Sequence, residues 1–273
     1  MAFQVIPLSG ALGAEICGIN LARITNNQFD AVHGALLQYG FVYCRGQALE
    51  PGQLRELAAR WGELHVHPYM PGLDGFPEVI EIVKKETDRH TFGGNWHTDQ
   101  MFTATPAMGT MLYAKEVPSA GGDTLFANLY LAYETLSDAM KAMIGPLHTV
   151  NIYDKKRKRA TEMQRKVVDE DKPAEVVTHP LVRPHSETGR PVLYLSYERI
   201  TRRIDGMTDE ESRPLIDFLA THIVRPEFTC RFRWSKGALA IWDNRTTQHY
   251  ALNDYQGQRR HMQRVTIKGD RPR

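Results

Sequence analysis

Cysteine is scarce in this sequence, which has three among 273 residues and no CxxC pair. The three, Cys17, Cys44 and Cys230, are scattered along the chain and odd in number. A disulfide framework of the secreted kind is therefore not expected, and a zinc site built from thiolates has no support. We interpret the cysteines as small buried hydrophobic residues, which fits a chain located in the reducing cytoplasm.

Long hydrophobic runs are also missing, since no apolar stretch approaches the ~18 residues that indicate a membrane helix. The N-terminal residues show no basic stretch followed by an apolar one, so no signal peptide is expected. Charge of one sign is not in excess, because 34 basic residues balance 32 acidic ones. This balance argues against a membrane or nucleic-acid partner, although single basic residues could bind a small anion.

Internal repeats and linkers rich in Gly, Ser or Pro are absent, so we predict a single domain over residues 1–273. Residues 151–177 differ from their surroundings, since they combine basic and acidic clusters with few large apolar side chains. This composition is typical of a solvated, mobile insertion. A lid that closes over an active site is the alternative, because long loops beside sites often have that role.

Polar capping residues and glycines mark several helices. Asn27 and Gly40 bound the first, and the second begins at Pro51 and ends near Gly62. Three further helix starts are predicted from capping residues, at Asn128, at Ser137 and at the Thr208–Glu211 capping box.

Short runs with strand character occur along the whole chain. They lie at residues 41–44, 79–83, 108–114, 124–127, 229–234, 238–242 and 264–267. Short strands separated by polar turns favour an antiparallel barrel or sandwich. The fold class is therefore predicted as mixed α+β, mainly β, with the helices flanking the sheets.

One His-x-Asp arrangement indicates chemistry. In an extended segment, His97 and Asp99 project to the same side and can bind one divalent ion. The spacing alone is weak evidence of a metal site. A third ligand would complete a triad of two histidines and one carboxylate, which leaves coordination positions open on iron. His249 is the candidate, because it follows the apolar run at 238–242 on a rigid element.

Two arginines near the C-terminus indicate an anionic ligand. Arg260 lies eleven residues after His249, and Arg264 follows in the next predicted strand. A guanidinium group in a partly buried pocket needs an anionic partner, and its geometry suits a carboxylate. Taken singly, each arginine could equally form a surface ion pair.

Together these motifs resemble the taurine dioxygenase (TauD/TfdA) family. The resemblance rests on the His-x-Asp pair, GlyGlyAspThr at 121–124, TrpAspAsnArg followed by His249, and the trailing arginines. It covers nearly the whole chain, from residues 7–16 to residues 267–272. It implies an Fe(II)- and 2-oxoglutarate-dependent dioxygenase on a double-stranded β-helix, or jelly roll, flanked by helices.

The resemblance also implies a role for individual residues. His97, Asp99 and His249 match the iron ligands. Thr124 and Arg260 match the residues that bind the distal carboxylate of the cosubstrate 2-oxoglutarate. The positions that match the substrate site are His67, Tyr69, Asn95 and Arg264.

The substrate site departs from the pattern of taurine enzymes. Gly93 and Met70 stand where those enzymes have Asn and Tyr, which disfavours taurine and suggests an anion with a larger organic tail. Phe92, Met101 and Phe102 could line such an apolar pocket, or could belong to the ordinary core.

We therefore expect hydroxylation of a C–H bond of a small organic anion, giving succinate and CO2 from 2-oxoglutarate and dioxygen. An alkyl sulfonate or sulfate ester is the first candidate, and an aryloxyalkanoate or another carboxylate is a near rival. Outside this class, a zinc hydrolase or a non-catalytic jelly-roll binding protein are the alternatives. The resemblance further suggests a homo-oligomer, either a dimer or a tetramer.

Overall fold

A computed structural model describes residues 3–67, 70–152, 175–196 and 200–273. Its helices are α1 (Asn26–Tyr39), α2 (Pro51–Ala59), α3 (Leu129–Glu134), α4 (Asp138–Ile144) and α5 (Asp209–Ile223). Its strands are β1 (Gln4–Pro7), β2 (Ala14–Cys17), β3 (Phe41–Cys44), β4 (Gly72–Leu73), β5 (Phe76–Lys84), β6 (Gly109–Glu116), β7 (Thr124–Asn128), β8 (His148–Ile152), β9 (Val176–Pro180), β10 (Val182–Pro184), β11 (Pro191–Leu193), β12 (Thr201–Ile204), β13 (Thr229–Phe232), β14 (Leu239–Asp243), β15 (Thr247–Ala251) and β16 (Arg260–Ile267).

Two sheets form the centre of the molecule. The larger has eight strands in the order β1-β2-β3-β14-β6-β16-β5-β4, and only β2 and β3 in it pair in parallel. The smaller has the order β13-β7-β15. Non-consecutive neighbours such as β14 and β6 show that the chain crosses between the sheets. This mainly antiparallel pair of sheets confirms the expected jelly-roll core.

Aromatic side chains fill the space between the two sheets. Phe41 of the large sheet stacks on Phe126 of the small sheet, with ring centroids 4.1 Å apart. Phe232 and Trp242 extend the same cluster, and all four are almost completely buried. Contacts of this kind stabilise a sheet pair through apolar burial and ring geometry together.

The helices cover the outer surfaces of the sheets, as predicted. Helices α1 and α2 bury Leu36 and Leu54 in a cluster with residues of the large sheet. Helices α3 and α5 bury Leu129 and Leu219 in a separate cluster that includes Leu193 of β11. Among the described residues, none of the helices has the length and apolar character required to cross a membrane.

Helix starts agree with the sequence analysis at four of the five positions proposed, among them Pro51 as the first residue of α2, and differ at one. Asn128, Ser137 and the Thr208 capping box are confirmed as N-caps. The proposed cap at Asn27 is wrong, because Thr25, two residues earlier, caps the helix in a capping box with Gln28. Asn27 therefore lies in the first turn of the helix, where Thr25 and Gln28 supply the capping hydrogen bonds.

Residues 153–174, most of the proposed insertion, lie outside the described residues. The ends of the 151–177 segment are regular structure, because Ile152 of β8 pairs with Val176 of β9. The single domain over residues 1–273 and the role of this segment remain proposals.

A buried ionic network fixes the turn between β14 and β15. The carboxylate of Asp243 accepts hydrogen bonds from Arg245 Nε and Nη2 at 2.9 and 2.7 Å and from His185 Nε2 at 3.0 Å. Arg245 also donates to Glu187 Oε1 at 2.8 Å. Burial opposes the charge of Asp243, but Arg245 and His185 outweigh it and hold the pKa of Asp243 well below its usual range.

We predict that Asp243→Asn destabilises the fold strongly, because it leaves the buried cation of Arg245 without its main partner. A loss of about 3–5 kcal/mol is typical when one member of a buried pair is removed. Urea unfolding followed by circular dichroism measures this loss. Glu187→Gln is the control, since the Glu187 side chain is 37% exposed and should contribute about 1 kcal/mol or less. Equal, small effects of both substitutions would contradict the prediction.

Candidate active site

Two histidines and an aspartate meet at one end of the small sheet. His97 and His249 form an isolated antiparallel bridge, with backbone N–H···O distances of 3.1 and 2.9 Å. Oδ1 of Asp99 lies 3.8 Å from Nε2 of His97 and 3.9 Å from Nε2 of His249. One ligand atom from each residue lies within 4.8 Å of the others, which fits the coordination sphere of a single ion.

The two imidazoles are suited to bind a metal. Nδ1 of His97 donates to the backbone oxygen of Asn95 at 2.7 Å, which leaves its Nε2 lone pair directed at the triad. Burial and the neighbouring His97 lower the pKa of His249 well below its usual value, so this imidazole is neutral. Neutral imidazole is the form that coordinates a metal.

Asp99 is ionised although it is buried. Burial raises the pKa of Asp99, but the cation of Arg264, with smaller contributions from both histidines, outweighs burial and holds the pKa well below its usual range. Nη2 of Arg264 lies 2.9 Å from Oδ1, and the hydroxyl of Thr110 donates to Oδ2 at 2.7 Å. The triad therefore offers the negative carboxylate of Asp99 and the neutral imidazole of His249, with His97 as its third ligand.

A chain of buried hydrogen bonds supports Asp99 from the large sheet. Nε1 of Trp242 donates to Oδ1 of Asn244 at 3.0 Å, and Nδ2 of Asn244 donates to Oγ1 of Thr110 at 3.0 Å. Thr110 in turn donates to Asp99, so the orientation of the carboxylate depends on three side chains. The sequence analysis gave no role to Thr110 or Asn244. A polar residue inside the apolar run 108–114 was the available signal.

A cavity extends from the triad into the space between the sheets. Its lining residues come from both sheets and from the segment before His97: Ile82, Phe92, Gly93, His97, Leu112, Thr124, Trp242, His249, Ala251, Arg260 and Arg264. The cavity therefore brings the two histidines of the triad together with Thr124, Arg260 and Arg264, which the sequence analysis connected with anionic ligands.

Arg260 is a buried cation without a hydrogen-bonding partner for two of its nitrogens. Nε and Nη2 find no acceptor within the described part of the chain, and the side chain lies over the ring of Trp234. Burial lowers the pKa of Arg260 below its usual value. Thr124 accepts a hydrogen bond from Nε1 of Trp234 at 2.9 Å, which leaves its own hydroxyl proton available to a ligand.

The four predicted substrate residues differ in position. Arg264 contacts Asp99 as well as the cavity, and its Nε has no partner among the described residues. His67 is half-buried, and burial followed by the charge of Arg264 lowers its pKa to about 4. Asn95 is buried and its side chain donates to the backbone oxygen of Trp96, so it is not brought to the cavity wall. Tyr69 lies outside the described residues.

The apolar residues discussed from the sequence divide into two groups. Phe92 and Gly93 line the cavity. Gly93 has φ +76°, and a Cβ there would lie 3.2 Å from the imidazole of His97. Met101 is instead fully buried in a cluster with Tyr194, and Phe102 packs against that cluster. For these two residues the core interpretation holds.

A jelly roll that carries two histidines and one carboxylate at the mouth of a cation-lined cavity defines the class of non-haem iron oxygenases. Residues 4–266 match the family described as "Taurine catabolism dioxygenase TauD, TfdA family". The chain belongs to this family and is a 2-oxoglutarate-dependent non-haem iron dioxygenase.

Three similar proteins extend this assignment. An "Alkylsulfatase" of Acinetobacter baylyi is 34% identical over 98% of this chain and 85% of its own length. An "Alpha-ketoglutarate-dependent sulfate ester dioxygenase" of Pseudomonas putida is 33% identical, over 100% of this chain and 91% of its own. The crystal structure of a taurine dioxygenase from Burkholderia xenovorans matches with a TM-score of 0.84 and 36% identity, over 99% and 92% of the two chains.

We predict that Thr110→Val weakens metal binding at the triad by about tenfold or more, because loss of an outer hydrogen bond to a ligand carboxylate typically has this effect. Anaerobic competition with a chelator measures the affinity for Fe(II). Thr110→Ser keeps the hydroxyl and should bind the metal like the wild type. Indistinguishable affinities of the Val and Ser variants would show that the chain through Asn244 does not position Asp99.

Proposed function

We propose that this enzyme hydroxylates the carbon next to the ester oxygen of an alkyl sulfate. The observation that carries the proposal is the cavity lined by the two histidines of the triad and by Arg260, whose Nε and Nη2 have no partner among the described residues. One oxygen atom of O2 enters the substrate C–H bond, and the other enters succinate as 2-oxoglutarate loses CO2. The hydroxylated sulfate ester then separates into an aldehyde and inorganic sulfate.

His97, Asp99 and His249 would hold Fe(II) in this proposal. The donor set supports the assignment, since it is one ionised carboxylate with two imidazoles, the combination that suits a divalent iron ion. Bound iron would supply the activation of dioxygen. The chain itself fixes the ligands on two elements joined by backbone hydrogen bonds, and the buried hydroxyl of Thr110 restrains the carboxylate.

Arg260 and Thr124 would orient 2-oxoglutarate through its distal carboxylate. A buried guanidinium whose Nε and Nη2 have no acceptor among the described residues favours an anion, and a carboxylate accepts two parallel hydrogen bonds from it. Thr124 supplies one more donor from the opposite sheet. Anchoring the distal end would leave the keto acid end near the triad.

Arg264 would bind the anionic head group of the substrate, because its Nε is buried without a partner among the described residues and its guanidinium lines the cavity. With a pKa of about 4, His67 is neutral at pH 7 and can contribute a hydrogen bond but no charge. The family resemblance alone adds Tyr69 and Asn95 as proposed substrate residues, and of these Asn95 does not line the cavity. Phe92 and Gly93 offer an apolar surface for an alkyl tail.

Two relatives that cover this chain end to end support the sulfate ester over the sulfonate and the carboxylate, because their names state a sulfatase and a sulfate ester dioxygenase. An aryloxyalkanoate is the second candidate, since Arg264 would suit a carboxylate equally well. A homo-oligomeric assembly and a cytoplasmic location are further proposals; free Cys17, Cys44 and Cys230 support the second.

We predict that chelation abolishes activity and that only Fe(II), with oxygen and 2-oxoglutarate present, restores it. The reason is that dioxygen activation needs a redox-active ion, which zinc is not. Succinate release and oxygen uptake are the measurements. Restoration of sulfate release by Zn(II) under anaerobic conditions would instead support a zinc hydrolase. Ligand binding that survives His97→Ala, without any oxygen uptake, would support a non-catalytic binding protein.

A substrate panel tests the head group. We predict that a medium-chain alkyl sulfate stimulates succinate formation and yields one sulfate per succinate. The matching alkyl sulfonate and a phenoxyalkanoate serve as the comparison arms. If the dominant reaction is release of phenol from the phenoxyalkanoate, the substrate is a carboxylate and the proposal of a sulfate ester is wrong. If no organic anion stimulates turnover, the assignment of Arg264 to the head group is wrong.

A further inference from the structure

A second buried cation lies beside Arg260. Lys84 of β5 is directly opposite Arg260 of β16 in the antiparallel register, and opposite residues project to the same face with Cβ atoms about 5 Å apart. The two residues are 3% and 5% exposed. Nζ of Lys84 has no hydrogen-bond partner in the part of the chain that the structure describes, like Nε and Nη2 of Arg260.

The two cations line a small cavity that adjoins the cavity of the triad. The lining residues are Ile82, Val83, Lys84, Thr91, Phe92, Tyr255 and Arg260. Three of them, Ile82, Phe92 and Arg260, also line the larger cavity, so the two spaces share a wall. None of these lining residues is an acid. The small cavity therefore lies at the end of the pocket where Arg260 would bind its anion.

The protein groups around Lys84 compensate its charge only in part. Nζ lies 4.5 Å from the centroid of the Tyr255 ring, a cation–π contact that offsets some of the lost hydration. The hydroxyl of Tyr255 is already hydrogen bonded to Thr91 at 3.0 Å. Asp123, whose charge acts on Arg260, accepts a 2.6 Å hydrogen bond from Arg231. A buried cation whose charge is only partly compensated favours the binding of an anionic ligand.

We infer that Lys84 is a second cation for the distal carboxylate of 2-oxoglutarate, acting beside Arg260. The inference rests on the proposed function, which places that carboxylate at Arg260. A carboxylate has two oxygens and about four lone-pair directions, so one guanidinium does not saturate it. Lys84 would then strengthen selection for cosubstrates with a charged distal end.

Binding of two metal-chelating probes tests this role without turnover. N-oxalylglycine carries a distal carboxylate, whereas oxalate has only the chelating end. Calorimetric titration of the Mn(II)-loaded protein measures both affinities. We expect Lys84→Met to weaken N-oxalylglycine binding by about tenfold or more, the loss typical of a charge-assisted hydrogen bond, and to leave oxalate binding unchanged. Lys84→Gln, which keeps a donor but no charge, should show the same selective loss.

Lys85→Met is the matched control, since this neighbouring lysine is exposed and should not affect either probe. Unchanged N-oxalylglycine affinity in both Lys84 variants would overturn the inference. An equal loss for the two probes would also overturn it, because that pattern indicates a structural role. If the wild-type protein binds N-oxalylglycine no more tightly than oxalate, Arg260 does not bind the distal carboxylate. The proposed role of Arg260 would then be wrong, and so would this inference.

Discussion

The ionised carboxylate of Asp99, buried between two histidines, is the constraint on which the site depends. An isolated charge in this position would be strongly destabilising. Arg264 compensates the charge of Asp99 through a 2.9 Å contact with Oδ1, and Thr110 donates a hydrogen bond to Oδ2. The large sheet supplies both residues, from β16 and β6. The sheet therefore has to place its strands in one register before the triad can exist, and the site and the fold are stabilised by the same contacts.

The register of three strands explains why the site lies at this point. His249 belongs to β15, and its backbone bridge to His97 fixes an otherwise irregular segment against the small sheet. On β16, Arg260 and Arg264 are four residues apart, so both face the interior of the jelly roll, as alternation along a strand requires. The short segment between β14 and β15 is held by the Asp243–Arg245 pair. A shift of one residue in β16 would turn both arginines away from the cavity.

The sequence was sufficient for the triad and for much of the fold, but not for the residues that support the triad. His97 and Asp99 could be predicted because two residues in an extended chain share a side, and the trailing arginines added a specific pattern. The roles of Thr110 and Lys84 could not be predicted, because their contacts depend on the strand register, which no local sequence pattern indicates. Strand β15 was not among the predicted strands for a related reason, because its residues Thr247–Ala251 are mostly polar and show no apolar run. The N-cap of α1 was predicted at Asn27 and lies at Thr25, because Asn and Thr both have a high propensity for the N-cap position.

In the proposed function, the selectivity of the cavity comes from buried cations whose N–H groups lack acceptors among the described residues. Arg260 loses hydration in the folded protein and recovers the interaction only when an anion reaches it, so a neutral analogue would leave the same groups unpaired. Discrimination by unpaired polar groups is far stronger than discrimination by apolar contacts. In the same proposal, Phe92 and Gly93 would set little more than the size of the organic tail, whereas Arg264 and Arg260 would decide which anions bind. The difference explains how members of one family can keep the cosubstrate site while the organic part of the substrate varies.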